Sequence, residues 1–318
     1  ERDESEHALL ASIEALARRA DIGETFARTL TARIIAAAAD TKCRLSKSAA
    51  VLALRVLCSA ARGNFAALSS SAASFRELVL TQGTLLHAAR EASAKPALVR
   101  AAETSLRALL SAVPEAAPKY ATVLLGLETP GPEACALAGA LLDPRAAPNR
   151  PAVPRSVRKS KIEKRPPPPA EPPAASPPRA SWLTFYANAV LGAATPPAAH
   201  CHAAFSALLR AATDEEWSAV LLPAVLKALK RTPDAAVASL LALLDSLPGS
   251  LTLDASMPGL AEALQPVLLS PTALRSATAA KVYGALGARC SPAGVQKAAA
   301  LLGAWKPALL SASLARSG

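Results

Sequence analysis

Apolar residues recur at spacings of three and four along most of this chain, the period of one face of an α-helix. The pattern is cleanest after residue 213. Trp217, Val220, Leu221, Val225, Leu226 and Leu229 form one such stripe, with Thr213 or Asp214 placed to cap its start. Lys227, Lys230 and Arg231 fall in the last turns, where cations suit the carbonyl end of the helix dipole. Thr232-Pro233-Asp234 stops that helix and opens another, with Thr232 as cap and Pro233 at the first helical position. The second helix carries Val237, Leu240, Leu241 and Leu244, and ends before Leu247-Pro248-Gly249. Ser256-Met257-Pro258 then opens a helix through Leu260, Leu264 and Leu268, and Ser270-Pro271 opens its partner through Leu274, Val282 and Leu286. Ser291-Pro292 begins a third cycle through Val295, Leu301 and Leu302.

The openings recur. Pro223 and Pro258 are 35 residues apart, Pro233 and Pro271 38, Pro258 and Pro292 34. A helix pair returning at that interval is the mark of an α-solenoid of the HEAT, armadillo or tetratricopeptide kind. The Trp-Leu-Gly…Tyr consensus of tetratricopeptides is missing, and a proline in or opening the first helix suits HEAT units better. Before residue 143 the same periodicity predicts helices over Glu6–Arg19, Gly23–Ala39, Leu45–Arg62, Ser74–Ala92, Lys95–Val113 and Pro118–Leu127. Ser74 and Glu77 have the spacing of a capping box.

Composition agrees with an all-α chain. Alanine makes up about a quarter of the 318 residues, and Trp, Tyr and Phe only 3%. Valine, isoleucine and threonine are too scarce to feed a large sheet. One stretch breaks the pattern. From Pro144 to Ala180 the chain holds 12 of its 27 prolines, which deny helix formation and favour extended, polyproline-like backbone. The same stretch carries nine basic residues against two acidic, a net of +7 out of the chain's +11. The expected organisation is therefore N-terminal helical repeats over 1–143, a disordered Pro-rich basic linker over 144–180, and HEAT repeats over 181–318.

Net charge of +11 favours a polyanionic partner. Within the linker, Arg158, Lys159, Lys161, Lys164 and Arg165 are the strongest candidates, since basic arms bind polyanions through counterion release without reading bases. A nuclear-localisation signal or plain solubilisation of the linker is the other reading of that run. Lys227, Lys230 and Arg231 form a second candidate patch, with 227 and 231 on one helical face. Trp182, Phe185 and Tyr186 sit beside basic residues as a base-stacking platform would, but their i, i+3, i+4 spacing predicts a buried stripe. His200-Cys201-His202 is the one dense cluster of ligand-type residues. Neighbouring helical positions point about 100° apart, so a buried thiol between two surface imidazoles is the expected outcome. No phosphate loop, dinucleotide fingerprint, H-E-x-x-H or G-x-S-x-G occurs, which leaves neither an enzyme nor a cofactor site to expect. The five cysteines are scattered and odd in number, as in a reduced, intracellular chain. No segment is long and apolar enough to span a bilayer, and the acidic start without a methionine suggests a soluble fragment of something longer.

From Trp182 the sequence resembles a particular family. Trp182-Leu-Thr-Phe185-Tyr186-Ala-Asn-Ala-Val190-Leu191, Pro196-Pro197, and Glu216-Trp217 through Leu222-Pro223, Lys227 and Arg231-Thr-Pro233 are similar to the N-terminal HEAT region of the general control non-derepressible translational activators. Ser250-Leu-Thr-Leu-Asp254, Gly259-Leu260 and Leu286…Arg289-Cys290-Ser291 match as well, and Lys47–Leu54 with Lys119-Tyr120 more weakly. The linker is not part of the family pattern. The resemblance implies a non-catalytic, cytoplasmic scaffold that contacts the ribosome, both rRNA and ribosomal proteins. Its family senses stalled ribosomes and activates the kinase of initiation factor two in amino-acid starvation. The kinase would be met through regions outside this segment, and neither a membrane nor a small-molecule substrate is implied. The competing reading is a HEAT or armadillo adaptor for nuclear transport or the cytoskeleton. Such arrays show an acidic inner groove or Trp-bearing loops, which net charge and the three tryptophans disfavour.

Overall fold

The computed structural model describes residues 2–40, 45–90, 95–142, 178–193, 198–270 and 272–317, and among them every regular element is helical. In chain order these are α1 (Arg2–Ala17), α2 (Gly23–Ala39), α3 (Lys47–Gly63), α4 (Phe65–Ser69), α5 (Ala72–Ala89), α6 (Pro96–Ala112), α7 (Ala116–Leu125), α8 (Pro132–Leu141), α9 (Arg179–Leu191), α10 (Ala199–Leu209), α11 (Asp214–Glu216), α12 (Leu222–Arg231), α13 (Pro233–Ser246), α14 (Met257–Leu268), α15 (Ala273–Gly287) and α16 (Pro292–Ser317). Each helix expected from the apolar spacing is present. Two short ones, α4 and α8, lacked a stripe long enough to read.

Three local expectations need correction. Ser74 does not open α5: Ser71 does, its Oγ accepting from the Ser74 amide, so the cap lies one turn earlier. Arg179 and Ala180, counted with the linker, are the first residues of α9. The Arg179 guanidinium donates to the Leu208 carbonyl and pairs with Glu216 at 3.3 Å, so its charge is tied down within the helices. The stripe through Trp217–Leu229 is not one uniform helix. Thr213 and Glu216 make a full capping box, after which Trp217–Leu221 widens into a π turn with the Leu222 amide bonded to the Trp217 carbonyl. Pro223 accounts for the turn: it has no amide to give, and its ring would strike the carbonyl four residues back in a regular helix.

The helices form two compact units. One takes Glu1–Gly126 and α8 from Ala136; the other takes Leu127–Cys135 and everything from Pro178. In the first unit α1, α3 and α6 are successive neighbours in one layer, and α2 packs on α5 and α5 on α7 in the other. α3 lies at the centre, touching α1, α2, α5 and α6. Its cap is Ser46, whose Oγ accepts from the Ala49 amide at 3.2 Å, and its buried Leu54 and Leu57 are each worth about 1.5–3 kcal/mol of burial. A polar thread crosses this core. Tyr120 donates to Gln82 Oε1 at 2.5 Å, and Gln82 Nε2 reaches the Cys58 sulfur at 4.0 Å. All three are buried, so the bonds meet an otherwise unmet need and fix which faces of α3, α5 and α7 meet.

The second unit repeats one arrangement. α9, α12, α14 and α16 follow one another along one layer, and α10, α13 and α15 along the other, with α9–α10, α12–α13 and α14–α15 paired across. The loop Leu247–Ser256 ties the last pairs together. Arg289 donates to the carbonyls of Leu247 and Pro248 at 3.0 and 2.9 Å, and the Leu253 amide donates to the Arg289 carbonyl at 3.2 Å. Asp254 Oδ1 accepts from the Ser291 amide at 2.8 Å, at the mouth of α16. Hydrogen bonds from the Ser291 side chain, then its backbone, hold the Asp254 carboxyl below the usual carboxylate range. Ser256 does not cap α14 with its side chain; it is buried and accepts from the Trp217 indole at 2.8 Å. Arg289, Asp254 and Ser291, conspicuous in the sequence, are thus fastening residues.

Candidate functional site

The sequence candidates separate into two groups. Arg158, Lys159, Lys161, Lys164 and Arg165 lie outside the described residues. Lys227, Lys230 and Arg231 lie at the end of α12, all exposed. Leu221, Val225, Ala228 and Leu229 bury the opposite side of the segment, which leaves the cations nowhere but outward. The Thr232 amide closes the helix on the Ala228 carbonyl at 2.8 Å, and Lys230 and Arg231 fall in its last turn, where the dipole favours cations. Among the described residues none of the three has an ion-pair partner.

Lys230 also borders a groove of about 740 Å³ between α12 and α14, shared with Asp234, Glu262 and Arg275. Arg275 and Asp234 pair with each other across it. No periodicity links Arg275, in the first turns of α15, to Lys230, so the sequence alone could not have put them together. Folding does so by stacking α13 on α15.

The aromatic trio is core, as its spacing predicts. Trp182, Phe185 and Tyr186 are 5%, 4% and 0% exposed, which removes any stacking platform. Edge-to-face contacts join Trp182 to Phe185 and Phe185 to Tyr186 at 5.7 and 5.2 Å, and Tyr186 donates to the Cys135 carbonyl at 3.2 Å. In the His-Cys-His cluster Cys201 is buried, His202 half-buried, and the His200 Nε2 lies 2.9 Å from the Pro132 carbonyl. Among the described residues no three ligand-type side chains gather as a metal site would require.

Cys58 and Cys135 are poor nucleophiles. Cys135 is pushed far up by its hydrogen bond with Cys201 and then by burial, and burial alone pushes Cys58 up to about 12. Only the thiolate reacts, and Cys201 is shielded by burial at 2% exposure, so at pH 8 Cys58, Cys135 and Cys201 stay unmodified by iodoacetamide in the folded chain and react fully in guanidinium. Peptide mass spectrometry before and after denaturation checks this; native labelling of any of the three would show that its helix opens.

Most of the described residues carrying the resemblance are therefore packing and fastening residues, running from the aromatic stripe of α9 to the Arg289–Ser291 clasp; Lys227 and Arg231 are exposed, and Pro196-Pro197 lie outside the described residues. Residues 179–302 match the family model described as stalled ribosome sensor GCN1 N-terminal. This stretch is thus similar to the GCN1 N-terminal region. The match takes in α9 through α15 and the first turns of α16, and so includes Lys227, Lys230 and Arg231. The weaker likenesses at Lys47–Leu54 and Lys119-Tyr120 lie before it. No curated protein and no solved structure matches the chain. Among the described residues no helix is long and apolar enough to cross a membrane.

Proposed function

We propose that this chain is a non-catalytic segment of a HEAT-type α-solenoid in a ribosome-associated scaffold. The match of residues 179–302 to the stalled-ribosome-sensor family carries the reading. The two-layer recurrence of α9–α16 supports it, because stacked helix pairs offer a long wall of weak contacts rather than a pocket. In this reading residues 1–143 and 179–318 are repeat arrays, and 144–178 is the basic linker between them. Lys227, Lys230 and Arg231 contact ribosomal phosphates, joined by Arg158, Lys159, Lys161, Lys164 and Arg165. The cytoplasmic whole protein signals stalled ribosomes to the kinase of initiation factor two, which it meets through other regions.

Co-sedimentation of the chain with ribosomes across a salt series is the test. Each lost phosphate contact flattens the log–log salt slope by about 0.7–0.9. Lys227→Glu, Lys230→Glu and Arg231→Glu together therefore flatten it by roughly 2 or more and weaken association at every salt concentration. An unchanged slope removes the α12 cations from the contact, and no sedimentation at low salt removes ribosome binding from this segment.

A further inference from the structure

In the first unit a cleft of about 400 Å³ opens over α3, where α1 and α6 flank it. Small side chains from all three helices leave the room: Ala11 and Ala15 on α1, Ser59 on α3 and Ala108 on α6. Arg18, Arg55 and Arg62 line the cleft, with Glu14 the carboxylate among its lining residues. Glu14 is buried and pairs with Arg18 through one carboxylate oxygen and with Arg62 through the other. Arg55 donates to Glu6 Oε1 at 2.5 Å. Counting Glu6, three cations meet two carboxylates, and one positive charge is left over.

Donors are in larger excess than charge. Ser59 is 5% exposed and lines the cleft, yet among the described residues its hydroxyl has no hydrogen-bond partner. The hydroxyls of Thr104 and Ser105, on the α6 wall, have none either. The Arg55 Nε is shielded by the protein and unpaired as well. Buried polar groups are almost always paired, so a buried serine left open towards a cleft, with guanidinium N–H groups around it, fits an acceptor supplied from outside. Both Glu14 oxygens are already engaged, and what remains is the donor set of an oxyanion site.

A phosphomonoester suits that set better than a carboxylate or a nucleic-acid strand. It brings three terminal oxygens and nearly two negative charges at pH 7, enough to draw guanidiniums shared with Glu6 and Glu14. A carboxylate brings two oxygens and one charge. A strand would carry its flanking phosphates past those two carboxylates, and no Trp, Tyr or Phe among the lining residues offers its bases a face. We propose that the cleft over α3 binds a phosphomonoester, its terminal oxygens accepting from Ser59, Ser105 and the guanidiniums of Arg55 and Arg62. The site uses none of the α12 or linker cations, so it stands apart from the ribosome reading.

Fluorescein-labelled peptides of one sequence, carrying phosphoserine, serine or glutamate at the same position, are titrated into the 318-residue chain by polarisation. Inorganic phosphate and a single-stranded 12-nucleotide RNA without terminal phosphates serve as competitors. The phosphoserine peptide is expected to saturate, the other two to bind at least about tenfold more weakly, and inorganic phosphate to displace it. Ser59→Ala weakens the phosphoserine peptide at least about tenfold, the loss of one hydrogen bond to a charged group, and Ser105→Ala does the same. Neither hydroxyl has a partner within the protein and alanine is the better helix former, so melting temperatures stay level or rise while binding falls. A peptide held more tightly than inorganic phosphate marks a phosphorylated protein as the source; equal affinity marks a free phosphate compound. The inference is overturned if the phosphoserine peptide does not saturate, if the serine or glutamate peptide matches it, or if both alanine variants leave its affinity unchanged. It is overturned equally if the RNA displaces the peptide as strongly as inorganic phosphate does.

Discussion

Trp217→Ala destabilises the second unit by about 3–5 kcal/mol, the largest loss expected of any single truncation in it. Trp217 is 2% exposed and stands at the head of the π turn, so removing the indole leaves a cavity that the widened backbone has little freedom to close. The indole also donates to the buried Ser256 hydroxyl at 2.8 Å, joining the α11–α12 segment to the start of α14. Losing the donor strands a buried acceptor, a cost of about 1–3 kcal/mol by itself. Trp217→Phe divides the two effects: it keeps much of the ring volume and loses the donor, so it lands nearer the smaller figure. Urea unfolding followed by circular dichroism measures both. A Trp217→Ala loss below about 1 kcal/mol would mean that the π turn, and the contact it aims, is not what joins these helices.

The π turn also shows where reading the sequence stops. Apolar spacing located every long helix because burial of one face is written as a period of 3.6, and Pro and Ser marked where most helices start. What spacing cannot carry is a local exception. The spacing places Pro223 inside the helix that Thr213 opens, but nothing in a 3.6-residue period says that the chain accommodates it by a π turn rather than a break. Ser256 reads as a cap by its place before Met257-Pro258, yet spends its oxygen on an indole 39 residues away. The candidate site divides similarly. Lys227, Lys230 and Arg231 are local to one helix and were legible. Arg275, Asp234 and the groove they share come together only once α14 stacks on α12 and α15 on α13. Periodicity marks which face a residue occupies, whereas a groove is defined by how two such faces meet.

In the first unit the decisive residue has no side chain. Gly63 lies at the end of α3 where α1 crosses it, and a Cβ there would sit 2.5 Å from the Ala17 Cβ and 2.6 Å from the Glu14 carbonyl oxygen. Ala17 is fully buried and the carbonyl is backbone, so neither can swing aside. Glu14 is held further by ion pairs to both Arg18 and Arg62, which fixes α1 to α3 beside the crossing. Gly63→Ala therefore forces the helices apart, and the expected cost is about 3 kcal/mol, at the upper end for overpacking, despite alanine's better helix propensity. Ala17→Gly removes one of the two obstructions. The double variant Ala17→Gly/Gly63→Ala should thus lose less than the sum of the single losses, with a coupling of about 1 kcal/mol or more, while the Glu14 carbonyl keeps the rescue incomplete. Chemical denaturation of the four proteins in the cycle measures that coupling. Additive losses would mean that α1 and α3 do not meet at this glycine, and the layer running α1, α3, α6 would lose its first contact.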